Sequence, residues 1–139
     1  VVLSNLSNIY NKKAAQLEYA GAESEAVNHY LKSASFDKRN PVPLNGLGLL
    51  YARKKSYDTA FAYLNAALVL DDQNRTTLEN LAVVSFLTKE YDKAIGYAQK
   101  NIMLYGNTRS MLGVLSDCYY AKGNYQEVER LRKLLEPPK

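Results

Sequence analysis

Few side chains in this chain have the types and spacing that catalysis or metal binding requires. The single histidine, His29, falls in an amphipathic stretch with no cysteine or activated serine beside it, which predicts a structural role. Cys118 is the only cysteine, so the chain has no intrachain disulfide and no cysteine-based metal spacing; it is predicted to be a small buried filler. Glu23 and Glu25 fall at a predicted helix start and do not form a facing buried pair. The sequence therefore predicts no enzyme, no cofactor and no metal.

The pattern of charge and hydrophobicity argues against two further classes of partner. The 18 basic and 14 acidic residues are interspersed, and the densest basic run is only 53–55. Nucleic-acid binders usually concentrate their basic residues on one face, so we predict solvated helix surfaces and no nucleic-acid binding. No apolar run of about 18 residues occurs, so no membrane insertion is predicted. The compartment stays open, with the cytoplasm slightly favoured and the periplasm as the alternative.

The elements that would position any site recur every 34 residues. Tyr57, Tyr91 and Tyr125 lie at this interval. An alanine series keeps the same interval: Ala26, Ala60 and Ala94. A fixed period of this size is typical of stacked-repeat proteins, which act mainly as binding surfaces. We predict one all-α domain over 1–139, divided into the units 7–40, 41–74, 75–108 and 109–139.

Each unit is predicted to be a hairpin of two short helices. Apolar residues recur at helical spacing in two blocks, separated by a polar or glycine-bearing break. Gly21 and Gly123 occupy equivalent breaks, where a helix commonly ends in a left-handed residue. Pro41 and Pro43 open the second unit where a new helix accepts proline, and 137–138 is a proline pair that stops the last helix.

On these residues the chain resembles the tetratricopeptide repeat family. The second unit carries the family pattern most fully, at Leu47, Gly48, Tyr51, Ala60, Leu64 and Ala67. The chain departs from the pattern at Lys13 in the leucine slot, Asn101 in a small-residue slot and Val128 in the alanine slot. The resemblance implies an α-solenoid, a right-handed superhelix of about four helix-turn-helix hairpins.

The small residues of the repeat pattern are predicted to allow close packing between helices. Gly48 or Ala82 is expected to meet Ala60 or Ala94 where paired helices cross closely. A larger side chain at these positions would force the two helices apart. Gly46 and Gly48 therefore belong to a helix, and their spacing does not predict a phosphate-binding loop.

The resemblance also implies a concave groove lined by the first helix of each hairpin. The residues predicted to contact a partner there are Asn11, Tyr19, Asn45, Leu49, Arg53, Glu79, Val83, Phe86, Asp117 and Tyr120. Such a surface would hold a peptide through apolar anchors, with Asn11 and Asn45 hydrogen-bonding its backbone. The alternative for Leu49, Phe86 and Tyr120 is packing against a neighbouring helix or against a flanking segment outside this sequence.

One known binding mode of the family is not expected. Some members clamp the C-terminal carboxylate of chaperone tails with lysines, an arginine and asparagines in this groove. The corresponding positions here are Asn11, Ala15, Gly46, Thr76 and Asn80. None of them is a cation, and Glu79 and Asp117 add negative charge nearby, so no carboxylate-clamp chaperone tail is predicted as a partner.

The predicted function is that of a non-enzymatic scaffold or adaptor that binds a peptide or helix of a partner protein. One alternative is a repeat segment of a larger protein that docks or regulates an attached catalytic, sensor or secretion domain, because Val1 starts abruptly and the first unit lacks a solvating cap. A helical-repeat nucleic-acid binder is the second alternative. Self-association through an open repeat end is a further one.

Overall fold

A computed structural model describes all 139 residues and contains eight α-helices joined by short turns. The helices are α1 (Val2–Tyr19), α2 (Glu23–Phe36), α3 (Val42–Arg53), α4 (Tyr57–Leu70), α5 (Arg75–Leu87), α6 (Tyr91–Tyr105), α7 (Arg109–Ala121) and α8 (Tyr125–Leu135). Each predicted repeat contains one pair of consecutive helices, except that α1 begins earlier than residue 7. None of the eight helices combines the length and hydrophobicity needed to cross a bilayer.

The helices form two compact units, Val1–Asp72 and Gln73–Lys139. In unit 1, α1 packs against α2 and α3 packs against α4, while α3 also contacts α1 and α2. In unit 2, α6 packs between α5 and α7, and α7 contacts both α5 and α8. That residues 1–139 form a single domain stays a prediction.

The same backbone turn joins the two helices of every hairpin. Gly21, Lys55, Lys89 and Gly123 have φ values of 83°, 61°, 64° and 76°. At each turn this residue donates its N–H to the carbonyl three residues earlier, and the next residue donates to the carbonyl five residues earlier. These paired bonds form a Schellman motif, which satisfies the last carbonyls of the first helix. The prediction at Gly21 and Gly123 is confirmed, and the two lysines adopt the same conformation although their side chains disfavour it.

Lys55→Gly should therefore stabilise the protein. Glycine adopts a positive φ without the steric cost that lysine carries, and part of this gain is offset by the greater freedom of glycine in the unfolded chain. We expect the free energy of unfolding to rise by roughly 0.5–1 kcal/mol. Urea unfolding followed by circular dichroism measures it. The matched control is Lys12→Gly inside α1, which should lower stability by a similar amount; a change of the same sign in both variants contradicts the backbone explanation.

Side-chain caps lie at the same repeat position at the start of two first helices, α5 and α7. The side chain of Asn74 accepts the N–H of Thr77 at 3.0 Å, and that of Thr108 accepts the N–H of Met111 at 3.3 Å. Caps of this kind satisfy amide groups that have no partner within the helix. The starts of α5 and α7 are therefore set by residues close to them in the sequence.

The two glycines of α3 allow close contact with side chains from both neighbouring helices. A Cβ atom at Gly48 would lie 2.5 Å from Leu64 Cγ, and one at Gly46 would lie 2.6 Å from Tyr30 Cζ. The side chain that closes on Gly48 is thus Leu64 of α4, one turn beyond the expected Ala60. Both Leu64 and Tyr30 are buried, so the missing Cβ atoms let α2 and α4 pack tightly on α3.

Candidate partner-binding site

A cleft of about 380 Å³ opens in unit 1 where α1 and α3 end. Its lining residues, which define the α1/α3 cleft, are Ala15, Glu18, Tyr19, Glu23, Leu49 and Arg53. Helical spacing brings them together: Ala15, Glu18 and Tyr19 lie within the last turns of α1, and Leu49 and Arg53 are four residues apart on α3. The cleft combines apolar and charged surface.

The apolar part of the α1/α3 cleft is open to solvent. The side chain of Tyr19 is 97% exposed, and that of Leu49 is partly exposed. An aromatic ring with few rotatable bonds gives a large contact area at a small cost in conformational entropy. Tyr19 and Leu49 can therefore serve as contact surface for another molecule.

A carboxylate held in a fixed orientation, that of Glu18, lines the α1/α3 cleft. The side chain of Glu18 is only 15% exposed, and its Oε1 is paired with Arg53 Nη2 and has no other hydrogen-bond partner. Tyr30 donates its hydroxyl proton to Glu18 Oε2 at 2.7 Å. Burial raises the pKa of Tyr30, which keeps the phenol protonated and able to donate. Tyr30 is packed against Gly46, so Glu18 is oriented by a buried side chain.

The helix ends give the two charges of this ion pair unequal support. Glu18 lies next to the last residue of α1, where the negative end of the helix dipole disfavours a carboxylate. Arg53 is the last residue of α3, where the dipole favours a cation whether or not it is paired. The Arg53 side chain is also 58% exposed. The Glu18 carboxylate is therefore fixed in place and stabilised by a nearby cation. The Arg53 guanidinium is exposed, and another cation can replace it.

The corresponding face of unit 2 is formed by the first helices α5 and α7. The Phe86 ring packs 5.9 Å from the Tyr91 ring, and the exposed Tyr120 ring meets the edge of Tyr125 at 5.5 Å. Glu79 pairs with Arg75 on its own helix at 3.1 Å. This face presents aromatic surface, but its rings already have neighbours within unit 2.

His29 and Cys118, the histidine and the cysteine of the chain, are surrounded by groups that hold them in place. His29 Nδ1 lies 2.9 Å from the carbonyl oxygen of Glu25, and its ring lies 5.8 Å from that of Tyr10. Cys118 is buried, and burial together with the charge of Asp117 raises its pKa to about 11, so the thiol stays protonated at neutral pH. These environments are those of packing residues.

The hairpin arrangement is shared with solved structures of tetratricopeptide domains. The first such domain of Spaghetti (RPAP3), bound to the HSP90 peptide SRMEEVD, aligns with a TM-score of 0.81 and 20% identity, covering 86% of this chain and 95% of that one. The Sgt2 domain from Aspergillus fumigatus aligns with a TM-score of 0.72 and 19% identity, covering 96% and 85%. The chain has the tetratricopeptide repeat fold. This confirms the predicted all-α class of helical hairpins.

A bacterial protein shows the same tetratricopeptide arrangement. PilF of Pseudomonas aeruginosa aligns with a TM-score of 0.83 and 25% identity, and the matched region covers 92% of this chain and 59% of that one. No protein-family model matches the sequence. No curated protein matches it either. The assignment to the tetratricopeptide fold therefore depends on the three-dimensional arrangement together with the repeat pattern.

The predicted contact residues of the tetratricopeptide repeats have different environments. In unit 1, Tyr19, Leu49 and Arg53 line the α1/α3 cleft. Asn45 is only 4% exposed, and Asn11 is half-buried with an Oδ1 atom that accepts no hydrogen bond. In unit 2, exposed side chains are Asp117 and Tyr120, and half-buried ones are Glu79, Val83 and Phe86. Contact of these residues with a partner stays a prediction.

Sequence reasoning did not assign Tyr30 or Glu23 to the α1/α3 cleft. Tyr30 belongs to a second helix, and repeat position alone gives no reason for it to reach Glu18. Glu23 was assigned only to a helix start, although its carboxylate also lies 3.2 Å from Lys54 Nζ at the end of α3. The one signal in the sequence is Gly46, whose missing side chain leaves room for the Tyr30 ring.

Proposed function

We propose that this protein is a non-enzymatic interaction module that holds a peptide segment or helix of a partner protein in its α1/α3 cleft. The observation that carries the proposal is the exposed pair Tyr19 and Leu49 beside the Glu18 and Arg53 ion pair. Apolar anchors flanked by charges are typical of protein contact surfaces. The structural similarity to a peptide-bound RPAP3 domain supports this proposal through the fold.

The chemistry of unit 1 argues against one known ligand of the fold, a chaperone tail held by its C-terminal carboxylate. In unit 1, the positions that the family uses to clamp a carboxylate hold Asn11, Ala15 and Gly46, which carry no positive charge. Gly46 is in addition covered by the Tyr30 ring. We propose that the HSP90 peptide SRMEEVD is not a ligand of this chain, which makes it a suitable negative control.

The proposal is tested by removing the apolar anchors. The double variant Tyr19→Ser with Leu49→Ser should capture at least about tenfold less partner protein in a quantitative pull-down from native lysate. Truncation of central anchor residues weakens binding strongly. Circular dichroism should show that the variant keeps its helical structure, since Tyr19 is exposed and Leu49 is partly exposed.

The matched control is Val69→Ser. Val69 is an apolar side chain on α4, 87% exposed and outside the α1/α3 cleft, so this variant should retain its partners. If the folded double variant captures every partner as well as the unsubstituted chain does, the cleft is not the binding site.

A further inference from the structure

We propose, on the basis of the function proposed above, that the α1/α3 cleft recognises an arginine or lysine side chain of a partner peptide, which replaces Arg53 on the Glu18 carboxylate. Arg53 then acts as an internal occupant of the site that leaves when the partner arrives. The cleft would in this way select basic peptides with adjacent apolar residues.

The fixed carboxylate is the first reason for this choice of ligand. Tyr30 is buried and holds Glu18 Oε2 at 2.7 Å, so little orientational freedom remains to be lost when a cation binds. Glu18 is also 15% exposed and close to the negative end of the α1 dipole. A half-buried carboxylate in that place is stabilised by a cation, and a partner's guanidinium or ammonium group supplies one.

The second reason is that Arg53 can leave at little cost. Its side chain is 58% exposed, so water and salt reach the guanidinium and screen its attraction to Glu18. Once released, the guanidinium still lies at the C-terminal end of α3, where the dipole favours it. A ligand cation therefore competes with an internal cation that water can solvate once it is released.

The third reason is the apolar wall beside the carboxylate. A peptide that buries Tyr19 and Leu49 also covers Glu18 and reduces the access of water to the new ion pair. Charge-assisted hydrogen bonds become stronger when solvent is excluded. Arg53 cannot provide this cover, since Tyr19 stays 97% exposed while Arg53 occupies the site.

The test measures binding of four pools of short capped peptides. One position is fixed in each pool as arginine, lysine, glutamine or glutamate, and the other positions are randomised in the same way in all four, with leucine included. The unsubstituted chain should prefer the arginine and lysine pools. Arg53→Gln should bind these pools about threefold to tenfold more tightly, because the internal competitor is gone. Glu18→Gln should weaken the same binding by at least about tenfold and remove the preference over the glutamine pool.

Two further variants separate specific recognition from general effects. Tyr30→Phe keeps the ring against Gly46 but removes the bond to Glu18, and should reduce the preference for arginine over glutamine by about threefold. A purely structural role of Tyr30 would leave that ratio unchanged. Lys55→Gln removes the same charge as Arg53→Gln but lies outside the cleft, so its binding should stay that of the unsubstituted chain.

The outcomes show whether Glu18 recognises a basic side chain of the partner or Arg53 recognises an acidic one. Binding of basic pools that appears only in Arg53→Gln overturns the inference, since Arg53 would then block the site and would not be replaced by a ligand cation. Preference for the glutamate pool, with weaker binding by Arg53→Gln, overturns it and makes Arg53 the residue that recognises a partner. Equal binding of all pools, or binding of none by any variant, also overturns it. The proposed function survives these failures if the Tyr19 and Leu49 double variant still loses partners from the lysate.

Discussion

Leu64→Ala should lower the free energy of unfolding by about 2–5 kcal/mol, the largest effect of any single substitution considered for stability. Leu64 lies on α4 with no exposed surface, and it fills the space above Gly48 in α3. Because Gly48 has no side chain, no atom of its own can move in to fill the cavity. Urea unfolding monitored by circular dichroism measures the loss.

The control for this substitution lies on the same helix. Val69→Ala removes a side chain that is 87% exposed, so the change in stability should stay within about 0.5 kcal/mol. Equal losses in the two variants would mean that Leu64 does not contribute to the packing of α3 and α4 as the structure indicates.

Gly48→Ala should lower the free energy of unfolding by about 1–2 kcal/mol, although alanine is the better helix former. The added Cβ atom would lie 2.5 Å from Leu64 Cγ, which forces α3 and α4 apart or moves Leu64 out of its rotamer. The same substitution at Gly96 in α6 meets no atom within 4 Å and should raise stability by about 0.5–1 kcal/mol. Denaturant midpoints of the two variants should therefore move in opposite directions.

The combined variant tests whether Gly48 and Leu64 act through one contact. Truncation of Leu64 makes room for the methyl group at position 48, so the loss in Gly48→Ala with Leu64→Ala should be smaller than the sum of the single losses by at least about 0.5 kcal/mol. Strict additivity would show that the strain in Gly48→Ala does not come from Leu64.

The helices and their turns could be predicted because they depend on nearby residues. The left-handed turns at Gly21 and Gly123 follow from glycine and from hydrogen bonds that reach no further than five residues. The same turns at Lys55 and Lys89 could be found only through the 34-residue period, because lysine by itself disfavours them.

The candidate site could be predicted only in part. Tyr19, Leu49 and Arg53 were assigned to one face by their place in the repeat, and the three side chains line one cleft. The same reasoning placed Asn45 there, but that side chain is buried. Repeat position indicates the direction in which a side chain points and gives no measure of how closely neighbouring helices cover it.

The sequence by itself determined the period, the helix pairs and the turn positions, because helical spacing and capping act over a few residues. Only the tertiary structure decided which charges matter in the cleft. The Tyr30 ring fills the space that Gly46 leaves open, and from there its hydroxyl fixes Glu18 opposite an exposed Arg53. These four residues lie on three helices, and their contacts depend on how closely those helices approach, which is a property of packing that no local pattern carries.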